Sequence, residues 1–237
     1  MAMRVLGIIP ARGGSKGLPR KNLCEVGGLS LVAHAIRCAE LCTSLTETVV
    51  STDDEEIAEA ALDAGGSVYG LRPVVLATDT ASSIDVCRFE LGEAEQRDRV
   101  RYDAVCLLPP TTPLRLPSDV DLAIGMAAAF TEHPAVGVAR CDWNPWWMLE
   151  ATGPLGGSPC MPVMGGVYTN RQSFPATYRL TGSVYVMRPD DLTPRWLSRG
   201  VTPVDIPSLR AVDIDTKDDL LRARALVDAG AVELPWL

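Results

Sequence analysis

Two clusters of residues have the types and spacing that phosphate chemistry requires. The first is Pro10-Ala11-Arg12-Gly13-Gly14-Ser15-Lys16-Gly17-Leu18-Pro19-Arg20-Lys21-Asn22. Its glycines let backbone N–H groups approach a phosphate, and Arg12, Lys16, Arg20 and Lys21 add the positive charge to hold a triphosphate and steady charge on a transferring phosphoryl group. The spacing is that of neither a Walker A loop nor a Gly-x-Gly-x-x-Gly fingerprint. The competing reading is a solvated basic turn. The second cluster is Val212-Asp213-Ile214-Asp215-Thr216. On a strand, residues i and i+2 face one side, so Asp213 and Asp215 would offer two carboxylates to one spot. Such hard oxygen donors suit Mg2+, with phosphate and water completing its shell. The alternative is a pair of exposed strand-end acids leading into a helix cap at Thr216.

Three further segments follow expected strands. Arg72-Pro73 opens a stretch running through Leu76-Ala77-Thr78-Asp79 to Ser82-Ser83. Arg72 carries a planar fork suited to a carbonyl or phosphate, and Ser83 is the expected cap of the next helix. Pro109-Pro110-Thr111-Thr112-Pro113-Leu114-Arg115 is either a pocket wall or a turn. Asp142-Trp143-Asn144-Pro145-Trp146-Trp147 holds three of the five Trp residues, which either stack on a sugar or base or anchor a dimer. His34, Cys38 and Cys42 share one helix face. Free Cys behaves as a small buried hydrophobe, so a packing face is favoured there over a metal site.

The elements that must position these residues alternate. Strands are expected at Val5–Ile9, Thr48–Ser51, Ser67–Leu71, Ala104–Leu108 and Val136–Ala139. Helices are expected after Ser30, at Asp53–Ala64 and Ser83–Arg97, and from a Ser118 cap to Phe130. This rhythm predicts a single Rossmann-like α/β domain over 1–237, a doubly wound, mostly parallel sheet with its ligands beyond the carboxyl ends of the strands. The pattern breaks at Cys141, and 141–182 reads as a small excursion for dimerisation or substrate contact. Ser183–Met187 returns as a strand, Asp190–Ser198 reads as helical, and Lys217–Ala229 closes as a helix.

Composition narrows the partners. The chain has 237 residues, 47% hydrophobic, enough for one sizeable core. Its net charge of −8 argues against nucleic acid as a partner. No run is long enough to span a bilayer, and the apolar opening is too short for a signal peptide, so a cytoplasmic protein without membrane contact is expected. Seven cysteines with no Cys-x-x-Cys pair do not make a disulfide framework.

The first loop resembles the nucleotide-binding loop of the acylneuraminate cytidylyltransferases, the CMP-sialic acid synthetase family. The likeness continues through Ser51-Thr52-Asp53, Arg72-Pro73, Leu76-Ala77-Thr78-Asp79, Ser82-Ser83, Pro110-Thr111-Thr112-Pro113-Leu114-Arg115, Arg171-Gln172, Gly182-Ser183-Val184-Tyr185 and Asp213-Ile214-Asp215-Thr216. The resemblance implies a homodimer that transfers CMP from CTP to the anomeric hydroxyl of an acidic, sialic-acid-like sugar and releases pyrophosphate. It implies that Arg12, Gly13, Gly14, Ser15, Lys16, Asn22, Arg72 and Ser82 hold CTP, with Asn22 at the cytosine. Asp213 and Asp215 would bind Mg2+, and Lys21, Arg12 and Asp215 would serve the chemistry. Thr111, Arg171, Gln172 and Tyr178 would contact the sugar. A phosphonate acceptor, or a non-catalytic nucleotide-binding protein of the same fold, are the alternatives.

Three departures fall on the acceptor side. Pro109 stands where the family usually has Gln, Trp146 and Trp147 where it commonly has basic residues or His, and Thr181 where Asn is common. The acceptor is therefore not narrowed to N-acetylneuraminate.

Overall fold

The computed structural model of the chain describes residues 3–15, 17–141, 143–153, 159–164 and 174–237. The first strand, β1, is Val5–Pro10, and a small hairpin follows from β2, Glu25–Val26, and β3, Leu29–Ser30. Next come α1 (Leu31–Glu40), β4 (Glu47–Ser51), α2 (Glu55–Asp63), α3 (Ser83–Asp98), β5 (Ala104–Leu107), α4 (Pro117–Ala129) and β6 (Ala135–Arg140). A second hairpin pairs β7 (Leu149–Ala151) with β8 (Cys160–Pro162), and β9 (Tyr178–Met187), β10 (Thr202–Asp205) and α5 (Lys217–Asp228) complete the chain.

Six strands form the central sheet in the order β10-β6-β9-β5-β1-β4. The pairs β1/β4, β1/β5 and β10/β6 are parallel, while β9 runs antiparallel to both its neighbours. β9 is reversed because, among the described residues, no crossover helix lies between it and β6, so it runs back from the end of the sheet where β6 finished. The core shows why the sheet is covered on both faces. Val5 and Ile9 of β1 pack with α1, α2 and α4 through Val32, Ile36, Ile57 and Ile124. Leu6 and Ile8 point the other way, onto Ile84, Cys87 and Leu91 of α3. A third cluster joins the β2/β3 hairpin to Leu114, Val212, Ile214 and α5. No helix among the described residues is long and apolar enough to cross a membrane.

Several local expectations are corrected. Ser67–Leu71 joins no ladder as a strand. Two backbone bonds, Val50 N–H to the Ser67 carbonyl (2.8 Å) and Arg72 N–H to the Thr52 carbonyl (2.7 Å), and the Tyr69 hydroxyl donating to Glu47 (2.9 Å) hold it beside β4. Val212–Asp215 forms no strand and lies outside the sheet. Its alternation survives because Val212 and Ile214 are buried, which turns Asp213 and Asp215 outward together. Ser82, not Ser83, caps α3 by accepting from Asp85 N–H at 3.1 Å. At α4, Pro117 opens the helix and the Asp119 carboxylate accepts from Leu116 N–H at 2.9 Å, so Ser118 is not the cap. Pro194 splits the expected helix at 190–198 into two short turns, Pro189–Asp191 and Trp196–Arg199.

His34, Cys38 and Cys42 pack as small core groups. Trp236 Nε1–H donates to His34 Nδ1 at 2.9 Å, so the opposite ring N–H donates to the Val26 carbonyl at 2.7 Å. Among the described residues no cluster of three or more His, Cys, Asp or Glu is arranged to hold a metal ion.

Candidate active site

The basic loop leaves β1 beside the end of β4, where Ala11 N–H bonds the Ser51 carbonyl at 2.8 Å. Beyond the ends of β1, β4 and β5 lies a cavity of about 590 Å³ lined by Arg12, Ser15, Lys21, Asn22, Arg72, Pro109, Thr111 and Asp215 among others. This is where ligands sit in doubly wound sheets.

Two consecutive acids after β4 fix the loop. Asp53 Oδ1 accepts from Gly13 N–H at 3.0 Å and lies 3.6 Å from Arg72 Nη2. Asp54 caps α2 by accepting from Ile57 N–H at 3.1 Å and also binds Arg20, which reaches on to Glu56. The Arg20 hydrogen bond is the leading cause that holds the Asp54 carboxyl below the usual range. Arg20 is thus spent on these acids and does not line the cavity, a correction to its reading as a phosphate cation. Gly13 is required by close approach, since a Cβ there would stand 2.5 Å from Asp54 Oδ2. Gly14 has no such neighbour. Lys16 lies outside the described residues, as do Arg171 and Gln172.

The remaining cations face carboxylates across the cavity. Arg12 pairs with Asp79 at 3.1 Å, and Lys21 Nζ lies 2.8 Å from Asp215 Oδ1. Asn22 is buried, and its Nδ2 donates to the Arg12 carbonyl at 2.9 Å, leaving Oδ1 as an acceptor. The Arg72 side chain is only 3% exposed. Desolvation pulls its guanidinium below the ordinary arginine range, against the opposing pull of Asp53 and Glu90. Its Nε has no hydrogen-bond partner among the described residues. The Ser82 hydroxyl is occupied by the α3 cap and donates to Asp85 at 2.7 Å, and Ser83 lines the cavity in its place.

Thr111 joins the two halves of the site. It lines the cavity, its carbonyl accepts from Ile214 N–H at 2.8 Å, and its side chain lowers the Asp213 carboxyl against the rise that burial causes. Asp213 keeps one face to solvent, yet partial desolvation raises its carboxyl above the usual range, and nearby Asp215 adds to the rise. Gly182 makes room for it, because a Cβ there would come within 2.8 Å of Asp213 Oδ2. On the other side, a Cβ on Gly17 would stand 2.5 Å from the Asp215 carbonyl oxygen. The basic loop and the acid pair therefore meet backbone to backbone. Two outward carboxylates beside a cation-lined cavity match the donor set of Mg2+ bound together with phosphate.

The acceptor-side residues divide. Pro109 lines the cavity. Thr181 does not. It is 1% exposed, and its hydroxyl is committed to the Gly137 carbonyl at 2.9 Å and to Ser183 Oγ at 2.6 Å. Tyr178 is exposed at the start of β9, opposite Arg140, and does not line the cavity. Trp146 and Trp147 gather on Phe174, with ring centroids 6.4 and 5.1 Å apart. Arg115 was legible only as part of a turn. It is a buried cation whose Nη1 donates to the carbonyls of Pro109 (3.2 Å) and Ser183 (2.5 Å) and to Thr112 Oγ1 (3.2 Å). Only the end of a Pro-rich loop marks it in sequence.

Comparison with known proteins places the chain in a family. Residues 6–121 match the family model described as cytidylyltransferase. The CMP-N,N'-diacetyllegionaminic acid synthase of Legionella pneumophila is 33% identical over 231 residues, covering 95% of this chain and 97% of that protein. The pseudaminic acid cytidylyltransferase of Campylobacter jejuni is 41% identical over 112 residues, 47% of this chain and 48% of its own length. Among solved structures, CMP:2-keto-3-deoxy-manno-octonic acid synthetase complexed with CTP superposes with a TM-score of 0.70 at 19% identity, over 96% of this chain and 99% of that one, a likeness of fold. With its fold, its paired loop and acids, and a relative matched along nearly its whole length, this chain belongs to the cytidylyltransferase family.

Proposed function

We propose that the chain transfers CMP from CTP to the anomeric hydroxyl of a nonulosonic, sialic-acid-like acid and releases pyrophosphate, with Mg2+ as cofactor. The observation that carries this reading is the convergence of Arg12, Lys21, Asn22, Arg72 and Asp215 on one cavity. Arg12 and Lys21 take the phosphates, where fixed positive charge counters charge developing during transfer. Arg72 and Asn22 hold the base. The Asn22 Oδ1, left as an acceptor, suits the 4-amino donor of cytosine and opposes the carbonyl that uracil carries there. Asp213 and Asp215 would hold Mg2+, which when bound neutralises charge on the phosphate oxygens. Lys16, Gly13, Gly14, Ser15 and Ser82 complete the proposed nucleotide set, with Ser82 acting through the helix end it caps.

The acceptor is assigned as a class. Both relatives described above are named for nonulosonic acids other than N-acetylneuraminate. Pro109 in the cavity wall and the apolar Trp146, Trp147 and Phe174 group favour an acid with less polar substituents. Thr111, Arg171, Gln172 and Tyr178 remain its proposed contacts. Since Tyr178 does not line the nucleotide cavity of its own chain, it would act where a second copy completes the site. Exposed Trp143, Trp147, Leu149, Met161 and Val163 within the excursion support a homodimer that covers them. The cytoplasm, as the source of CTP, is the proposed location.

The test is to incubate the chain with CTP, Mg2+ and a panel of nonulosonic acids and phosphonates and to follow pyrophosphate release. Release with a nonulosonic acid is expected. Release only with a phosphonate would overturn the acceptor class, and tight CTP binding with no release would mark a non-catalytic relative.

A further inference from the structure

The register of β5 against β9 pairs Val105 with Met187, Cys106 with Val186 and Leu107 with Tyr185. Continued by two residues, that ladder sets Pro109 opposite Ser183. An ordinary residue at 109 would donate its N–H to the Ser183 carbonyl, but proline has none. Instead, Arg115 Nη1 donates to the Ser183 carbonyl at 2.5 Å and to the Pro109 carbonyl at 3.2 Å. The guanidinium occupies the place of the missing rung. Ser183 N–H, which would have crossed to Pro109, turns to Thr181 Oγ1 at 3.3 Å.

Arg115 is 1% exposed, and among the described residues no carboxylate lies within ion-pair distance of it. A buried guanidinium held by carbonyl and hydroxyl oxygens, with no carboxylate beside it among the described residues, is costly to keep, so an apolar residue would be tolerated if packing were its only task. What it joins is informative. The loop between Pro109 and Arg115 carries Thr111, which lines the cavity and accepts from Ile214 N–H, beside Asp213, at 2.8 Å. Ser183 follows Gly182, whose lack of a Cβ makes room for Asp213.

We propose that Arg115 is a positioning residue, a side-chain substitute for the ladder bond that Pro109 cannot make, and that it thereby fixes Thr111 and the Asp213 carboxylate. Its role in turnover rests on the cytidylyltransferase reading above, whereas its role in geometry does not. The pairing also explains how Pro109 is accommodated in the cavity wall without loosening the loop.

The test combines Arg115→Lys, Pro109→Ala and the double variant, read by site-resolved amide exchange and by steady-state kinetics. Lysine keeps the charge and donors but not the rigid planar guanidinium that fixes Nη1 between the two carbonyls. Arg115→Lys is expected to speed exchange at Ile214 while Cys106 and Val186 in the sheet keep their protection. It should lower kcat about tenfold with the KM for CTP changed less than about twofold, since misplacement rather than lost binding is at issue. In the Pro109→Ala background the restored N–H can take the Ser183 carbonyl, so Arg115→Lys should cost less in both readouts. Unchanged Ile214 exchange in Arg115→Lys would overturn the proposal, as would acceleration shared equally by Cys106 and Val186, or equal costs in the two backgrounds. If no variant and no wild-type protein turns over any acceptor, the exchange data still decide the positioning role, and the failure belongs to the proposed activity.

Discussion

Lys21 Nζ stands 2.8 Å from Asp215 Oδ1, although the two residues are separated by almost the whole chain. The cation proposed to meet a phosphate and the carboxylate proposed to hold Mg2+ are thus neighbours before substrate arrives. Each screens the other, and the arriving nucleotide meets a balanced pair in place of an isolated buried charge.

That balance sets a direction for the acid pair. Asp213→Asn with Asp215→Asn is expected to abolish Mg2+-dependent turnover, by at least about two orders of magnitude, while leaving the circular dichroism spectrum and thermal midpoint near those of the parent. Both side chains face outward, so the core does not depend on them. Full turnover in the double variant would remove the metal assignment.

Gly17 offers a test that changes no charged group. A Cβ there would meet the Asp215 carbonyl oxygen at 2.5 Å, so Gly17→Ala must push the basic loop away from the acids. The expected result is a fall in kcat of about tenfold with the chain still folded, since catalysis of this kind depends on positioning. Gly14→Ala, with open space around it, is the matched control and should fall less.

Asn22 should read the base. With Nδ2 held by the Arg12 carbonyl, its Oδ1 favours a donor on the pyrimidine. Asn22→Ser is predicted to narrow the preference for CTP over UTP, measured as a ratio of kcat/KM, by about tenfold. An unchanged ratio would place the base elsewhere.

The parts of the fold that sequence reveals are those whose cause is local. The apolar run from Val5 to Ile9, the acids opening α2 and the Thr216 cap each carry their own signal, and each forms. Ser67–Leu71 carries a strand-like run too, but it lies beside the edge strand β4, and two backbone bonds do not make a ladder. Arg20 looks like any other cation of its loop until Asp54 and Glu56, more than thirty residues away, claim it. Thr181 and Arg115 fail to show for the same reason, because their partners Gly137 and Ser183 come from other strands. The site itself was readable because glycines, cations and paired acids declare their chemistry by type. Which of them reach the cavity is decided by tertiary partners.

His34 gives a pH dependence of stability. Burial is the leading cause that holds its imidazole below the ordinary histidine value, and both ring nitrogens are engaged while it is neutral. The unfolded chain takes up a proton as pH falls through about 6.5, whereas the folded chain does so only at lower pH. Stability is therefore fully present above the unfolded value and falls as pH drops below it. Urea midpoints at about pH 7.5 and about pH 5 should drop further for the parent than for His34→Gln. Equal drops would show that His34 does not carry the effect.

The central claim is transfer of a cytidylyl group to an acidic sugar, and the fate of the α-phosphate tests it most directly. CTP radiolabelled at that phosphate is incubated with the chain, Mg2+ and a nonulosonic acid, and the products are separated. The account predicts label in a single new species containing both CMP and the acid, formed in step with pyrophosphate. Label that stays in CTP, or that leaves only as unattached CMP, would contradict it.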